Sequence, residues 1–167
     1  YPIIFFGIDQ AGKTALTLTL KEGKTVNSTL PTLAFNIDKI DYGDLEIQIW
    51  DAPGQRRFRD IWGRGYQKAK ILVFIIDTAD YNRFEEAKHE LDRVLNDEIT
   101  KGIPLVFCFH KMDLPEAVAN LEKAKSIFKL SEIRGRKVFR FETTIMDLKS
   151  LTKFKGTLHD IVYEVMW

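Results

Sequence analysis

Short apolar runs alternate along the chain with longer stretches of mixed polarity. The runs are "IIFF" at 3–6, "LEIQIW" at 45–50, "ILVFII" at 71–76, "IPLVFCF" at 103–109 and "KVFRF" at 137–141. The first, third and fourth are continuous and rich in β-branched and aromatic residues, the pattern of strands buried on both faces. The stretch 45–50 instead alternates, with Leu45, Ile47 and Ile49 set against Glu46 and Gln48, and it pairs with "AFNIDKI" at 34–40 across "DYGD" as a hairpin. Between the runs the apolar period lengthens to three and four. Phe84, Ala87, Leu91, Val94 and Leu95 share one helical face, as do Leu158, Ile161, Val162 and Val165. Residues 116–130 predict a further helix, with Pro115 near its first turn. One stretch carries two signals. "ALTLTL" at 15–20 alternates as a strand does, yet Leu16 and Leu20 share a helical face and Gly23 can close a helix there.

Strands alternating with helices predict an α/β fold of the phosphate-loop type: a six-stranded, mostly parallel sheet, helices on both faces, and one antiparallel edge strand from the hairpin. In such sheets ligands bind beyond the carboxyl ends of the strands. The 167 residues show no internal repeat and no low-complexity linker, which predicts a single domain over 1–167. The 25 basic and 24 acidic residues nearly cancel, to +1. That balance removes the electrostatic case for a nucleic-acid partner, and the local cluster Arg134, Arg136 and Lys137 reads as a solvated face. Cys108 stands alone in an apolar run and cannot form an internal disulfide, which fits a reducing, cytoplasmic compartment. No apolar stretch approaches the roughly 20 residues of a membrane helix, and the terminal "YEVMW" lacks a prenylation cysteine. Tyr1 opens almost inside the first strand, so a native N-terminal segment is expected upstream. Peripheral membrane association would run through that segment or through a partner.

Candidate chemistry begins at the end of the first strand. Gly7 to Thr14, "GIDQAGKT", has two glycines bracketing four residues, then Lys13 and Thr14. Glycines let a backbone wrap a diphosphate with successive N–H groups turned inward, and the helix that follows offers its positive end to the same anion. Asp9, Gln10, Ala11, Gly12, Lys13, Thr14 and Ala15 are therefore the expected phosphate-binding residues, with Lys13 on the terminal phosphates and the Thr14 hydroxyl on Mg²⁺. "WDAPGQ" at 50–55 ends the alternating strand. There Asp51 can hold Mg²⁺, Gly54 can offer its N–H to a γ-phosphate, and Gln55 is the candidate catalytic residue, orienting the attacking water. Between these motifs, Thr32 in "LPTLAF" is the candidate that closes over Mg²⁺ and the γ-phosphate. Each piece alone is also ordinary turn sequence.

The base is read further on. "FHKMD" at 109–113 follows a buried strand, and a carboxylate at Asp113 accepts both of the adjacent donors that guanine presents and adenine lacks. Charge-assisted hydrogen bonds contribute about 1.5–3 kcal/mol each, enough to set base preference. Lys111 can lay its aliphatic stem over the base, and His110 contacts the loop or the base. In "ETTIM" at 142–146, Thr144 precedes Ile145, whose N–H can meet the guanine carbonyl, and Met146, which can cover the ring. Four motifs in order, each after a predicted strand, point to GTP and GDP.

With these residues in view the chain resembles the Ras superfamily of small GTPases over essentially its whole length. "GIDQAGKT", "LPTLAFNI" and "WDAPGQRRFRDIW" are similar to the phosphate loop and the two switches of the Arf and Arf-like family, whereas "HKMD" and "TTIMD" look more like the Rag GTPases. The β subunits of the SRP receptor are a weaker resemblance. The resemblance implies a molecular switch in membrane traffic or signalling. Loops near 27–36 and 52–66 would order around the γ-phosphate, with Phe35 and Trp50 matching aromatics shown to effectors. Intrinsic hydrolysis would be slow, with exchange factors, activating proteins and effectors as partners. Arg56, Arg57 and Arg59 read as switch surface rather than as an arginine finger in the same chain. A second reading, favoured by Pro53, His110 and Met146, is a GTP-binding scaffold working as a dimer subunit and hydrolysing little; a phosphate-loop kinase would lack its lid and leave Asp113 unexplained.

Overall fold

The computed structural model describes residues 1–26, 36–42, 45–52, 59, 62 and 68–166. Six strands, β1 (Pro2–Phe6), β2 (Asn36–Tyr42), β3 (Leu45–Asp51), β4 (Ile71–Asp77), β5 (Leu105–His110) and β6 (Val138–Glu142), form one sheet in the order β2-β3-β1-β4-β5-β6. Neighbours pair in parallel except β2 with β3, which run antiparallel at the edge. This is the sheet the hydrophobic pattern predicts. Its boundaries move by one or two residues, because pairing with a neighbour, and not polarity, decides where a strand ends.

The continuous apolar runs are explained by two cores. Along β1, Ile4 and Phe6 face one side with Leu72, Phe74 and Ile76 of β4, while Ile3 and Phe5 face the other with Ile71, Val73 and Ile75. The first side is covered by α2 (Phe84–Leu95) and α3 (Pro115–Phe128), through Phe84, Leu91, Val94 and Phe128. The second is covered by α1 (Lys13–Glu22) and α4 (Leu148–Met166), through Leu16, Leu20, Phe154, Leu158 and Val162. Fully burying a side chain of this size contributes about 1.5–3 kcal/mol, so both faces must be apolar at every position. β6 lies at the other edge and its residues are only partly covered.

The two signals in "ALTLTL" resolve as helix. Thr17 sits where a strand would show its polar face, but its hydroxyl donates to the Lys13 carbonyl at 2.9 Å. Thr19 accepts from the Val26 N–H at 3.0 Å. Both threonines are buried with their hydroxyls satisfied, so alternation costs the helix little. Gly23 ends α1 at φ 71°, its N–H on the Thr19 carbonyl at 3.0 Å. In α3, Pro115 is the first helical residue, and Lys129 at φ 48° stops the helix before Leu130, which belongs to a following short turn.

Candidate functional site

Strand register lines up the carboxyl ends. Phe5 stands beside Asp51, Phe6 beside Phe74, Asp77 beside His110, and Phe109 beside Glu142. Every described motif residue therefore emerges along one edge of the sheet, as expected for this type of fold.

Gly7 leaves β1 against β4 so closely that a β-carbon there would lie 2.3 Å from the Ile75 carbonyl oxygen. Gln10 at φ 65° and Gly12 at φ 98° then turn the chain into α1. Lys13 is buried, its ammonium donating to the Ile8 carbonyl at 2.9 Å. Burial lowers its pKa to about 8, against the opposing charges of Asp51 and Asp9. A phosphate held by the same loop would restore its preference for the charged form.

Thr14 and Asp51, 37 residues apart, meet directly: the Thr14 hydroxyl donates to Asp51 Oδ2 at 2.5 Å. Hydroxyl and carboxylate oxygens suit Mg²⁺, which keeps several waters and takes one or two protein oxygens beside substrate phosphates. Among the described residues no group of three or more His, Cys, Asp and Glu side chains could enclose a metal. Thr32, Gly54 and Gln55, expected to finish this end of the site, lie outside the described residues, as do Phe35 and Pro53.

The segments expected to read the base are tied to each other and to the glycine-turned loop of residues 7–14. Asp113 Oδ1 accepts from the Thr144 hydroxyl at 2.7 Å, and that hydroxyl oxygen accepts from the Met146 N–H at 3.1 Å. The Ile145 carbonyl accepts from Thr25 at 2.9 Å, which pins the loop to the end of α1. Met146 is 62% exposed, in keeping with a side chain free to lie over a ring. Lys111, at φ 65°, crosses to the phosphate loop, where its ammonium meets the Gln10 carbonyl at 2.8 Å and Asp77 Oδ2 at 3.0 Å. His110 is buried, with Nδ1 2.7 Å from the Thr143 hydroxyl and its ring edge packed on Gly12. Burial, helped by the nearby Lys111 charge, lowers its pKa to about 4, so the imidazole is neutral at pH 7. The ring edge thus lies against the loop at Gly12.

One expectation changes. Arg59, read as switch surface, is only 2% exposed and sits among Glu86, Glu90 and Asp9. A basic residue in a charged run looks solvated until its partners, which come from a helix some thirty residues later, are in place. The Asp9 carboxylate is paired with Arg83 at 2.6 Å and Arg59 at 3.4 Å. Partial burial pushes its carboxyl up, but the hydrogen bond and charge of Arg83, with Arg59 beyond, outweigh that and hold it below the usual range. Sequence reasoning missed Arg83, Asp77, Thr143 and Thr25 because their partners are distant in the chain and no motif spacing links them.

This edge, with its glycine-turned loop, its oxygen pair and its tied base-reading segments, is the architecture of a small GTPase. A model of the ADP-ribosylation factor family matches residues 1–162. ADP-ribosylation factor J of Dictyostelium discoideum is 35% identical over 135 residues, covering 81% of this chain and 71% of that protein. The chain belongs to the ADP-ribosylation factor family, and it is a GTPase. Among solved structures, the Arl6 BBS3 small GTPase of Trypanosoma brucei, determined with a bound nucleotide analogue, GppNp, shares the fold at a TM-score of 0.83. The two chains are 19% identical, and the match covers 98% of this chain and 97% of that one. Among the described residues no helix is long and apolar enough to cross a membrane.

Proposed function

We propose that this protein is a guanine-nucleotide switch of Arf-like type, one domain that binds GTP and GDP with Mg²⁺ and hydrolyses GTP slowly until a partner assists. The observation that carries the reading is the meeting of Thr14 with Asp51 at 2.5 Å, at the same sheet edge where Asp113 is oriented by Thr144. In this reading the amides from Asp9 to Ala15 and the Lys13 ammonium hold the phosphates. Thr14 and Asp51, with Thr32, would hold Mg²⁺, whose charge would offset that of the phosphates. Gly54 offers its N–H to the γ-phosphate, and Gln55 orients water toward it. Asp113 selects guanine, the Ile145 N–H meets its carbonyl, and the Lys111 stem and Met146 flank the ring. His110 serves by fixing the two loops relative to each other.

Exchange factors, activating proteins and effectors would act at the segments bearing Thr32 and Gln55. A role in membrane traffic or signalling, from the cytoplasm and with peripheral membrane attachment, follows by family likeness. A second reading is favoured by His110 and its buried seat against Gly12: the Rag-like base motif belongs to a GTP-binding scaffold that acts as a dimer subunit. Size-exclusion chromatography with GDP and with a non-hydrolysable GTP analogue separates the two. A monomer whose single-turnover hydrolysis falls at least about tenfold in Gln55→Leu supports the switch. A dimer independent of nucleotide, with equal slow rates for both proteins, supports the scaffold.

A further inference from the structure

Three successive carbonyls of the loop that leaves β1 accept from three different cations. The Ile8 carbonyl takes the Lys13 ammonium at 2.9 Å, the Asp9 carbonyl takes Arg83 at 3.0 Å, and the Gln10 carbonyl takes Lys111 at 2.8 Å. Lys13 and Lys111 belong to motifs already given to the nucleotide, and Arg83 belongs to none. It stands just before α2 and grips residue 9 with both prongs of its guanidinium. Nη1 donates to the Asp9 carbonyl, and Nη2 donates to Asp9 Oδ1 at 2.6 Å. From the helix side Glu86 aims Nη2 at 2.7 Å, and Arg59 holds that same Glu86 at 2.9 Å, which completes a charge cluster beside the loop. A planar fork holds two acceptors in fixed directions at once, which an ammonium does not.

The peptide between Asp9 and Gln10 is trans, so its C=O and N–H point in opposite directions. With the carbonyl turned to Arg83, the Gln10 N–H faces the other way, and among the described residues nothing accepts from it. We propose that Arg83 is a positioning residue for phosphate binding, its fork holding the 9–10 peptide so that the Gln10 N–H is presented to the phosphates of the nucleotide. The inference rests on the proposed function in placing those phosphates against the amides from Asp9 to Ala15. The need for a clamp arises at Gln10. Its φ of 65° has the sign that a type II turn requires at its third residue, where glycine is favoured. Another residue there relaxes by reversing the preceding peptide, which returns φ to negative values. Reversal would take the Asp9 carbonyl off Arg83 and turn the Gln10 N–H away. A strained backbone of this kind persists only where its surroundings over-determine it. An ion cluster that served stability alone would be indifferent to the direction of that N–H.

The test uses Arg83→Lys, Gln10→Gly and the pair. Two measurements are made: release of a fluorescent N-methylanthraniloyl-GDP chased by excess GDP, and the Gln10 amide resonance in nitrogen-15-labelled protein without added nucleotide. Arg83→Lys keeps the charge and loses the fork, so release should quicken by about tenfold or more. The Gln10 amide resonance should shift with it. Gln10→Gly takes a positive φ without strain. Added to Arg83→Lys, it should bring release back to within about threefold of wild type. Release at the wild-type rate in Arg83→Lys would mean that charge alone counts, and overturns the proposal. So does a loss that Gln10→Gly leaves untouched, or a Gln10 amide that Arg83→Lys does not move. If Arg83→Lys fails to fold, Arg83→Gln takes its place with the same expectations. A wild-type protein that binds no GDP would defeat the proposed function, and the amide resonance would still decide whether Arg83 sets that peptide.

Discussion

Gly12 and His110 approach so closely that a β-carbon on the glycine would lie 2.8 Å from His110 Cδ2. Gly12 turns the phosphate loop into α1; His110 ends β5 and opens the base-reading segment. The two halves of the proposed nucleotide site are therefore packed on each other through one ring edge.

Gly12→Ala tests that packing. At φ 98° the new side chain is strained before any contact is counted, and the buried His110 ring has little room to move. A loss of about 2–3 kcal/mol in unfolding free energy is expected, together with weakened GDP binding. Urea unfolding and a GDP titration check both. Unchanged values would show that the loop and ring separate easily.

His110 also sets a pH dependence. Its folded-state pKa of about 4 lies below the ordinary 6.5, chiefly through burial. As pH falls, the unfolded chain takes up the proton first. The contribution is therefore whole above pH 6.5 and is lost as pH falls toward 4, by roughly 3 kcal/mol over the window. His110→Asn has no proton to take up there. Comparing unfolding of the two proteins at pH 7 and pH 4.5 isolates the imidazole, because the carboxylates common to both cancel in the difference. Wild type should lose more stability than the variant, and parallel losses would contradict a buried neutral ring.

The Asp113 assignment predicts a change of base. In Asp113→Asn the side chain offers one acceptor and one donor, and guanine's two adjacent donors no longer match it. Xanthine, with a carbonyl in place of the exocyclic amine, does. Affinity for GDP should fall by about tenfold or more, with XDP gaining relative to it. Competition binding reads the ratio, and equal losses for both nucleotides would remove Asp113 from base recognition.

The Thr14–Asp51 pair predicts a metal effect. Chelating Mg²⁺ should speed GDP release from wild type by about tenfold or more, whereas Asp51→Asn should release GDP quickly with or without chelator. A chelator effect undiminished in the variant would place the metal elsewhere.

Much of this was legible in the chain. The runs at 3–6, 71–76 and 103–109 announce central parallel strands because each must be apolar on both faces, as Ile3 to Phe6 show. The nearness of Thr14 and Asp51, 37 residues apart, was readable because each belongs to a motif that follows a strand at the same sheet edge. The charge cluster was not. Arg59 and Arg83 gain their meaning from Glu86, Glu90 and Asp9, and only the packing of α2 against the loop brings those groups together. Likewise the burial of His110 follows from Gly12 and Thr143, which polarity patterns cannot place beside it.

The central claim is that one guanine nucleotide spans Lys13 and Asp113. Its most direct test is to denature the purified protein, separate what it carried, and titrate nucleotide-free protein with GTP and ATP in Mg²⁺. GDP or GTP should be released, and GTP should bind with ATP failing to compete. Bound ATP, or no binding of added GTP, would contradict the account.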